Sequence, residues 1–198
     1  LHTAGNPAAM AGKTKARMAR TRAFFARRAE FMVALAYEID LLERRAARAD
    51  MAAAVRLNAT SDVRYETIPV AIPFGPRPTN MMELFPAVQF YDYTKHANRR
   101  GIPANYHLTF SAAENNDGNF FRAFLNHRMN VAMVFAVPRG KPLPAVWPLA
   151  GIDVPVYDGD ESDYRPADPS GVIIGLRAKG RAIGDKSGFV RQISTLSV

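Results

Sequence analysis

Short apolar runs in this sequence end in polar residues that could carry chemistry. Asp62 follows the run Ala54–Leu57, and Asp92 and Lys95 follow the run Val88–Tyr91. A carboxylate and an amine held close together can transfer protons or hold a charged ligand. We therefore predict Asp62, Asp92 and Lys95 as catalytic residues. The alternative is a structural ion pair that closes the strand ends.

Further polar residues follow these and later apolar runs. In a parallel sheet the carboxyl ends of the strands meet at one edge, where α/β proteins build their sites. Polar groups that follow separate strands are therefore expected to face one pocket. The predicted ligand-binding residues are Asn58, Ser61, Thr94, Ser111 and Lys179.

The densest group of carboxylates lies in the segment 158–163. Asp158, Asp160 and Asp163 could hold Mg²⁺, Mn²⁺ or Ca²⁺ through oxygen, so we predict a divalent metal site there. The EF-hand template does not fit, because its glycine position is occupied by Asp163. The alternative is a solvated turn whose acids pair with Arg165.

Several common site types have no local support in the sequence. The four histidines have neither HxH nor HExxH spacing, and no Walker loop, GxGxxG or GxSxG motif is present. There is no cysteine, so disulfides and thiolate chemistry within these residues are excluded.

Positive charge is concentrated near the N-terminus. Seven Lys and Arg residues lie between positions 13 and 28 with no acid among them, so they account for most of the net charge of +8. In a continuous helix five of them would share an arc of about 100°, with Met18 and Phe25 pointing towards a core. Phe24 is also predicted to belong to the core. We predict nucleic-acid or nucleotide contact here, with an ordinary solvated face as the alternative. The predicted contacts are Lys13, Arg17, Arg20, Arg27 and Arg28.

The elements that position these residues follow from hydrophobic periodicity. A basic helical segment is predicted over residues 1–50, with helices at Ala8–Phe25 and Ala29–Asp50, and βα units and C-terminal strands over 51–198. Near-continuous apolar strands indicate an α/β protein with a mostly parallel sheet in a single domain. A partial (β/α) barrel is the preferred arrangement, and an open doubly wound sheet is the alternative.

Three long motifs resemble those of a known family. Arg56–Asp62 resembles RLNxTSD, Phe85–Lys95 resembles FPxVQFYDYTK, and Asn105–Ser111 resembles NYHLTFS. Together they are similar to an uncharacterised family carried by bacteriophages, prophages and plasmids and named after a mycobacteriophage gene product. The resemblance covers most of the chain, from about Thr3 to Val190, and implies no established activity.

The resemblance also implies an upstream segment. Fuller members carry cysteines directly before the region that resembles Leu1–Asn6, and a cysteine loop, a helix and βα units follow one another in radical-SAM enzymes. If the cysteines are missing by truncation, the hypothesis of an iron–sulfur cluster holds for the intact protein, and if the chain is whole, it fails for this one. An iron–sulfur cluster and SAM are expected only if that segment exists.

The leading functional hypothesis is a phage or mobile-element enzyme with its site at the carboxyl ends of the strands. Its substrate would be a nucleotide or nucleic acid, and its chemistry would be radical-SAM-like if the cysteine segment exists. The alternatives are a non-catalytic nucleic-acid-binding protein that uses the basic helix and an oligomerising structural protein. The composition also predicts the cytoplasm of the host cell, with no membrane span.

Overall fold

The computed structural model describes residues 10–59, 61–73, 75, 77, 79–149 and 151–193 of the chain. The α-helices are α1 (Met10–Ala26), α2 (Arg28–Arg48), α3 (Met81–Leu84) and α4 (Asp117–His127). The strands are β1 (Ala54–Val55), β2 (Gln89–Thr94), β3 (Tyr106–Ser111), β4 (Val131–Phe135), β5 (Val146–Leu149), β6 (Ile152–Asp158), β7 (Ile173–Arg177) and β8 (Val190–Arg191). This confirms a mixed α/β fold with helices at the N-terminus.

Helix α2 confirms the prediction of a second, amphipathic helix. Its buried residues recur at spacings of four, three and seven, which places them on one face. They are Met32, Ala36, Ile39 and Ala46. Arg27 has φ −141° and ψ 58°, so the chain bends between α1 and α2. The two helices are therefore separate, and the arc calculated for one continuous helix does not extend to Arg28.

Of the α1 residues predicted to face a core, the structure buries only Phe24. Phe24 is buried, whereas Phe25 and Met18 are 69% and 50% exposed, so the expectation that these two face a core is wrong. The bend lets the Phe24 ring meet Phe31 and Tyr65 edge to face, at centroid distances of 5.6 and 6.1 Å. Adjacent residues on a helix lie about 100° apart, so burying Phe24 leaves Phe25 in solvent.

The sheet has eight strands in the order β1-β2-β3-β4-β7-β6-β5, and β8 also pairs with β4. The pairs β1–β2, β3–β4, β4–β7, β4–β8 and β6–β7 are parallel, and β5–β6 is antiparallel. A mostly parallel sheet is therefore confirmed.

The partial barrel is not confirmed. In a (β/α) barrel each strand lies beside the next strand of the sequence. Here β7 lies beside β4 and the order then runs backwards to β5, which is an edge strand antiparallel to its neighbour. This order gives no support to a similarity with radical-SAM enzymes.

Two predicted strand boundaries were wrong. Strand β5 begins inside the stretch Pro138–Pro148 that was expected to be an excursion and ends one residue beyond it. An edge strand tolerates Pro148 because one side of it needs no N–H donors, and Trp147 packs edge to face on Phe135 at 5.1 Å. The strand expected over Ala53–Thr60 is limited to Ala54–Val55 among the described residues, because the chain turns at Asn58.

The described residues fall into two compact units. The first comprises the residues up to Tyr91 together with Gly101–His107, and the second comprises Asp92–Arg100 together with the residues from Leu108 onward. In the second unit Phe110, Phe135, Ile173 and Ile174 are fully buried. No helix among the described residues is long and apolar enough to cross a membrane.

Candidate functional site

The acidic segment after β6 forms an ion-pair cluster with the end of β7. Parallel pairing sets Asp158 opposite Gly175, which places Arg177 within reach of the turn that follows β6. The Arg177 guanidinium binds both carboxylate oxygens of Asp158 at 2.8 Å and one oxygen of Asp160 at 3.1 Å. We call Asp158, Asp160, Arg177 and Lys179 the strand-end cluster.

Arg177 is fully engaged in this cluster. Its Nε and Nη2 donate to the backbone carbonyl of Lys141 at 3.0 and 2.8 Å, so all five guanidinium N–H groups have an acceptor. Its side chain is only 12% exposed. The Lys179 amine adds a contact of 2.8 Å to Asp160 but remains 74% exposed. A saturated arginine has no donor left with which to bind a ligand.

The protonation of these groups follows from the same contacts. The hydrogen bond from Arg177 lowers the pKa of Asp158, although burial opposes the effect. Burial alone would raise the pKa of Asp160, but the hydrogen bonds from Lys179 and Arg177 outweigh it and lower the value. The hydrogen bond to Asp158 in turn raises the pKa of Arg177. Asp158, Asp160 and Arg177 are therefore charged at neutral pH, which suits an ion-pair network and not a proton shuttle.

A second arginine supports the acidic turn from inside the protein. Arg165 is fully buried, and its Nη2 donates to the backbone carbonyls of Gly159 and Ser162. Its carboxylate partner is Asp168 at 3.3 Å, so the expectation that the turn acids pair with Arg165 is wrong. A Cβ at position 159 would meet Ile174 Cγ2 and would lie 2.7 Å from Arg165 Nη1, so the close approach of these two side chains requires glycine there.

The described side chains offer poor ligands for the two expected cofactors, a divalent metal ion and an iron–sulfur cluster. Among the described residues, no group of three or more His, Cys, Asp or Glu side chains is placed to hold a metal ion. Asp158 and Asp160 already face cationic side chains, and Asp163 is exposed. An iron–sulfur cluster needs thiolate ligands, which this sequence does not contain, so its residues do not fit that group.

The ends of β2 and β3 bring together two other predicted residues. The Lys95 amine lies 3.4 Å from the Ser111 hydroxyl oxygen and 3.3 Å from its carbonyl oxygen. Asp92 and Thr94 are buried on one face of β2, and the Thr94 hydroxyl accepts a hydrogen bond from the His96 backbone N–H. Asp92 and Thr94 thus lie within β2 and not past its end, whereas Lys95 follows β2 and is exposed, and Ser111 ends β3 and is partly exposed.

The residues expected to bind a ligand after β1 hold a turn together. The Asn58 side chain accepts hydrogen bonds from the Val63 backbone N–H and the Ser61 hydroxyl, both at 2.8 Å. It also donates to the Val63 carbonyl at 2.9 Å. This pattern gives buried Asn58 and Ser61 a local structural role. Asp62, within the same turn, is partly buried.

The basic helix is the most exposed of the predicted sites. Lys13, Lys15, Arg20 and Arg22 are exposed and Arg17 is half-buried, and none of these five forms an ion pair within the described residues. Arg27 contacts Glu30 at 3.4 Å, and the Arg28 guanidinium lies 4.8 Å from the centre of the Phe24 ring. Most of the charge on α1 is therefore available to a partner.

The comparison with protein families gives one match over most of the chain. The model of the family described as Gene product 88 matches residues 1–193, which is nearly the whole chain. The chain belongs to the Gene product 88 family. The match supports the expected phage gene-product family and brings no activity with it. No curated protein and no solved structure matches the chain.

Sequence reasoning missed Arg177 and Arg191. Arg177 ends an apolar strand, and its acidic partners lie 17 and 19 positions earlier, so only the register of β6 and β7 reveals the pairing. Arg191 donates to Asp117 at 2.8 Å across 74 positions. A basic residue closing an apolar strand, with an acidic turn after another strand, is the only sequence signal for such a cluster.

Proposed function

We propose that the protein binds nucleic acid through the basic helix α1. The observation that carries the proposal is the set of exposed cations on this helix that have no acidic partner among the described residues. Uncompensated Lys and Arg side chains on one element are the electrostatic pattern that binds phosphate backbones. The host-cell cytoplasm expected from the sequence is a compartment that contains such a partner.

The test measures binding to a DNA duplex of about 20 base pairs, or two helical turns, between about 50 and 200 mM salt. Binding releases counterions, so affinity should fall steeply as salt rises. The double variant Arg20→Gln/Arg22→Gln should bind more weakly and reduce the salt slope by about two, roughly one for each lost phosphate contact.

A matched control removes the same charge from another exposed helix. Arg45 and Arg48 are exposed in the last turn of α2. The double variant Arg45→Gln/Arg48→Gln should keep the parent's affinity and slope. Equal losses in the two variants would show that only total charge matters. The proposal would also be wrong if the parent bound neither DNA nor RNA.

A second candidate function is an enzyme at the carboxyl ends of β2 and β3. The contact of 3.4 Å between the Lys95 amine and the Ser111 hydroxyl favours it, because a lysine can activate a serine nucleophile. Lysines that act as bases are desolvated, whereas Lys95 is exposed, which is why binding is the first candidate. A fluorophosphonate probe would label Ser111 in the parent and not in Lys95→Met if this enzyme exists.

A further inference from the structure

One face of α1 is apolar or weakly polar and fully open to solvent. Thr14, Met18, Thr21 and Phe25 follow one another at helical spacing, within an arc of about 60° at 100° per residue. All four are exposed, including the two large apolar side chains. We call these four residues the α1 stripe. Two large apolar side chains exposed on one helix face, Met18 and Phe25, point to a contact with a partner.

Cations border the α1 stripe on both sides. At 100° per residue Arg17 lies about 40° beyond one border, and Arg22 and Lys15 lie about 40° to 60° beyond the other. Thr14, Arg17, Met18, Thr21 and Arg22 also line one depression of the surface. A partner that fits this face must therefore offer negative charge along two lines with a less polar floor between them.

The major groove of B-form DNA has this pattern. It is about 12 Å wide and lies between two phosphate backbones, and a helix with its side chains is about 10–12 Å across. Between Gly12 and Arg22 every residue of α1 is exposed except half-buried Arg17, so this part of the helix can be surrounded by a groove. We propose that α1 enters the major groove of duplex DNA, with the α1 stripe on the base edges and the flanking cations on both backbones.

Two other occupants fit the observations less well. A second copy of the helix would bring its own uncompensated cations against these, and like charges repel. A helix that lies on a membrane surface carries large apolar residues along its whole buried face, whereas two of the four α1 stripe positions are threonine. Duplex DNA supplies the negative charge that these cations need, and its groove does not require a large apolar residue at every position of the helix face.

The base edges at the floor of the major groove determine which chemical groups the α1 stripe would contact. Thymine presents its C5-methyl group only in the major groove, where threonine methyls and apolar side chains make contact with it. The inference rests on the proposed nucleic-acid binding and adds the form of the nucleic acid, the groove and the class of base contact.

The experiment compares three probes of one sequence at one salt concentration: a thymine-containing DNA duplex, the same duplex with deoxyuridine in place of thymidine, and the corresponding RNA duplex. Removing the methyl groups should weaken binding roughly fourfold for each contacted methyl without changing the salt slope. RNA should bind more weakly than both, because the deep and narrow major groove of A-form RNA does not admit a helix.

Two variants connect these differences to the α1 stripe. The double variant Met18→Ala/Phe25→Ala keeps Thr14 and Thr21, so it should show a smaller preference for the thymine duplex than the parent while keeping the parent's salt slope. Tyr37→Ala is the matched control, because Tyr37 is an exposed aromatic residue on α2 at 62% exposure. It should leave the preference for thymine intact.

The possible failures are distinguishable. Binding to none of the probes would overturn both the proposed function and this inference. Equal binding to all three, with the usual salt dependence, would leave the proposed function standing and overturn the major-groove inference. Tighter binding to single strands than to the duplex, or binding to anionic vesicles alone, would also overturn it.

Discussion

Replacing Arg177 by leucine tests whether the strand-end cluster is structural. The substitution removes a guanidinium that is only 12% exposed and holds two carboxylates. Asp158 then loses both of its short contacts to Arg177. Asp160 keeps its bond from Lys179 and the one from the backbone N–H of residue 177. The unpaired charge falls mainly on Asp158.

The size of the effect follows from burial. Removing one partner of a fully buried ion pair costs about 3–5 kcal/mol, and removing one from an exposed pair costs about 0–1 kcal/mol. Asp158 is 31% exposed and Asp160 is 16% exposed, so the cost should fall near 3 kcal/mol, at the lower end of the buried range. For a chain of this length the melting temperature should drop by about 6–12 °C.

A thermal melt followed by circular dichroism at neutral pH measures this change. Lys179→Met is the control within the same cluster, since its amine is 74% exposed and its pair should contribute less than about 1 kcal/mol. The melting temperature of the control should therefore fall by less than about 4 °C. Both variants remove one positive charge, so the difference between their melting temperatures measures the effect of burial.

Two results would refute a structural cluster. One is a loss below about 1 kcal/mol in Arg177→Leu, because breaking a largely buried pair cannot be that mild. The other is a parent that Mg²⁺ stabilises, together with an Asp160→Asn variant that loses this response. That result would support the metal site predicted from the sequence.

Three further changes have defined outcomes in the same melts. Gly175→Ala should cost about 1–3 kcal/mol, because its Cβ would lie 2.7 and 2.8 Å from two side chains, whereas Gly118→Ala, with open space around it, should be neutral or stabilising. Asp168→Asn should cost about 3 kcal/mol or more, because fully buried Arg165 loses its counter-charge; a loss under about 1 kcal/mol would contradict this. Because the pKa of Asp158 is below its ordinary 3.8, its stabilisation is complete above that pH and is lost as the pH falls through the lowered value. The melting temperature of the parent should thus fall more steeply below about pH 4 than that of Arg177→Leu.

The elements that could be predicted from the sequence are those with strong local patterns. The apolar spacing of α2 and the apolar runs of β4 and β7 indicate a helix and buried strands without reference to the rest of the chain. Strand β5 contains Pro148, which argues locally against a strand and is tolerated only at a sheet edge. Its position at the edge is a property of the topology and is not visible in the residues.

The candidate sites were predictable to different degrees. The basic helix is a local charge pattern, and its exposure follows the prediction for all of its cations except half-buried Arg17. The polar residues at the strand ends can be identified from the sequence, but their partners depend on strand register, as for Asp158 and Arg177. Phe24 and Phe25 are neighbours with equal hydrophobicity, so only the bend at Arg27 decides which one is buried.

Strand β8 has a consequence for folding during synthesis. Val134 and Phe135 of β4 pair with Val190 and Arg191, which the ribosome adds more than 50 residues later. Until then one side of this apolar segment lacks the strand that covers it, and unpaired strand edges are where nascent chains associate. Until β8 pairs with β4, this strand edge is therefore open to association with other chains, and a chaperone that covers unpaired strand edges would protect it.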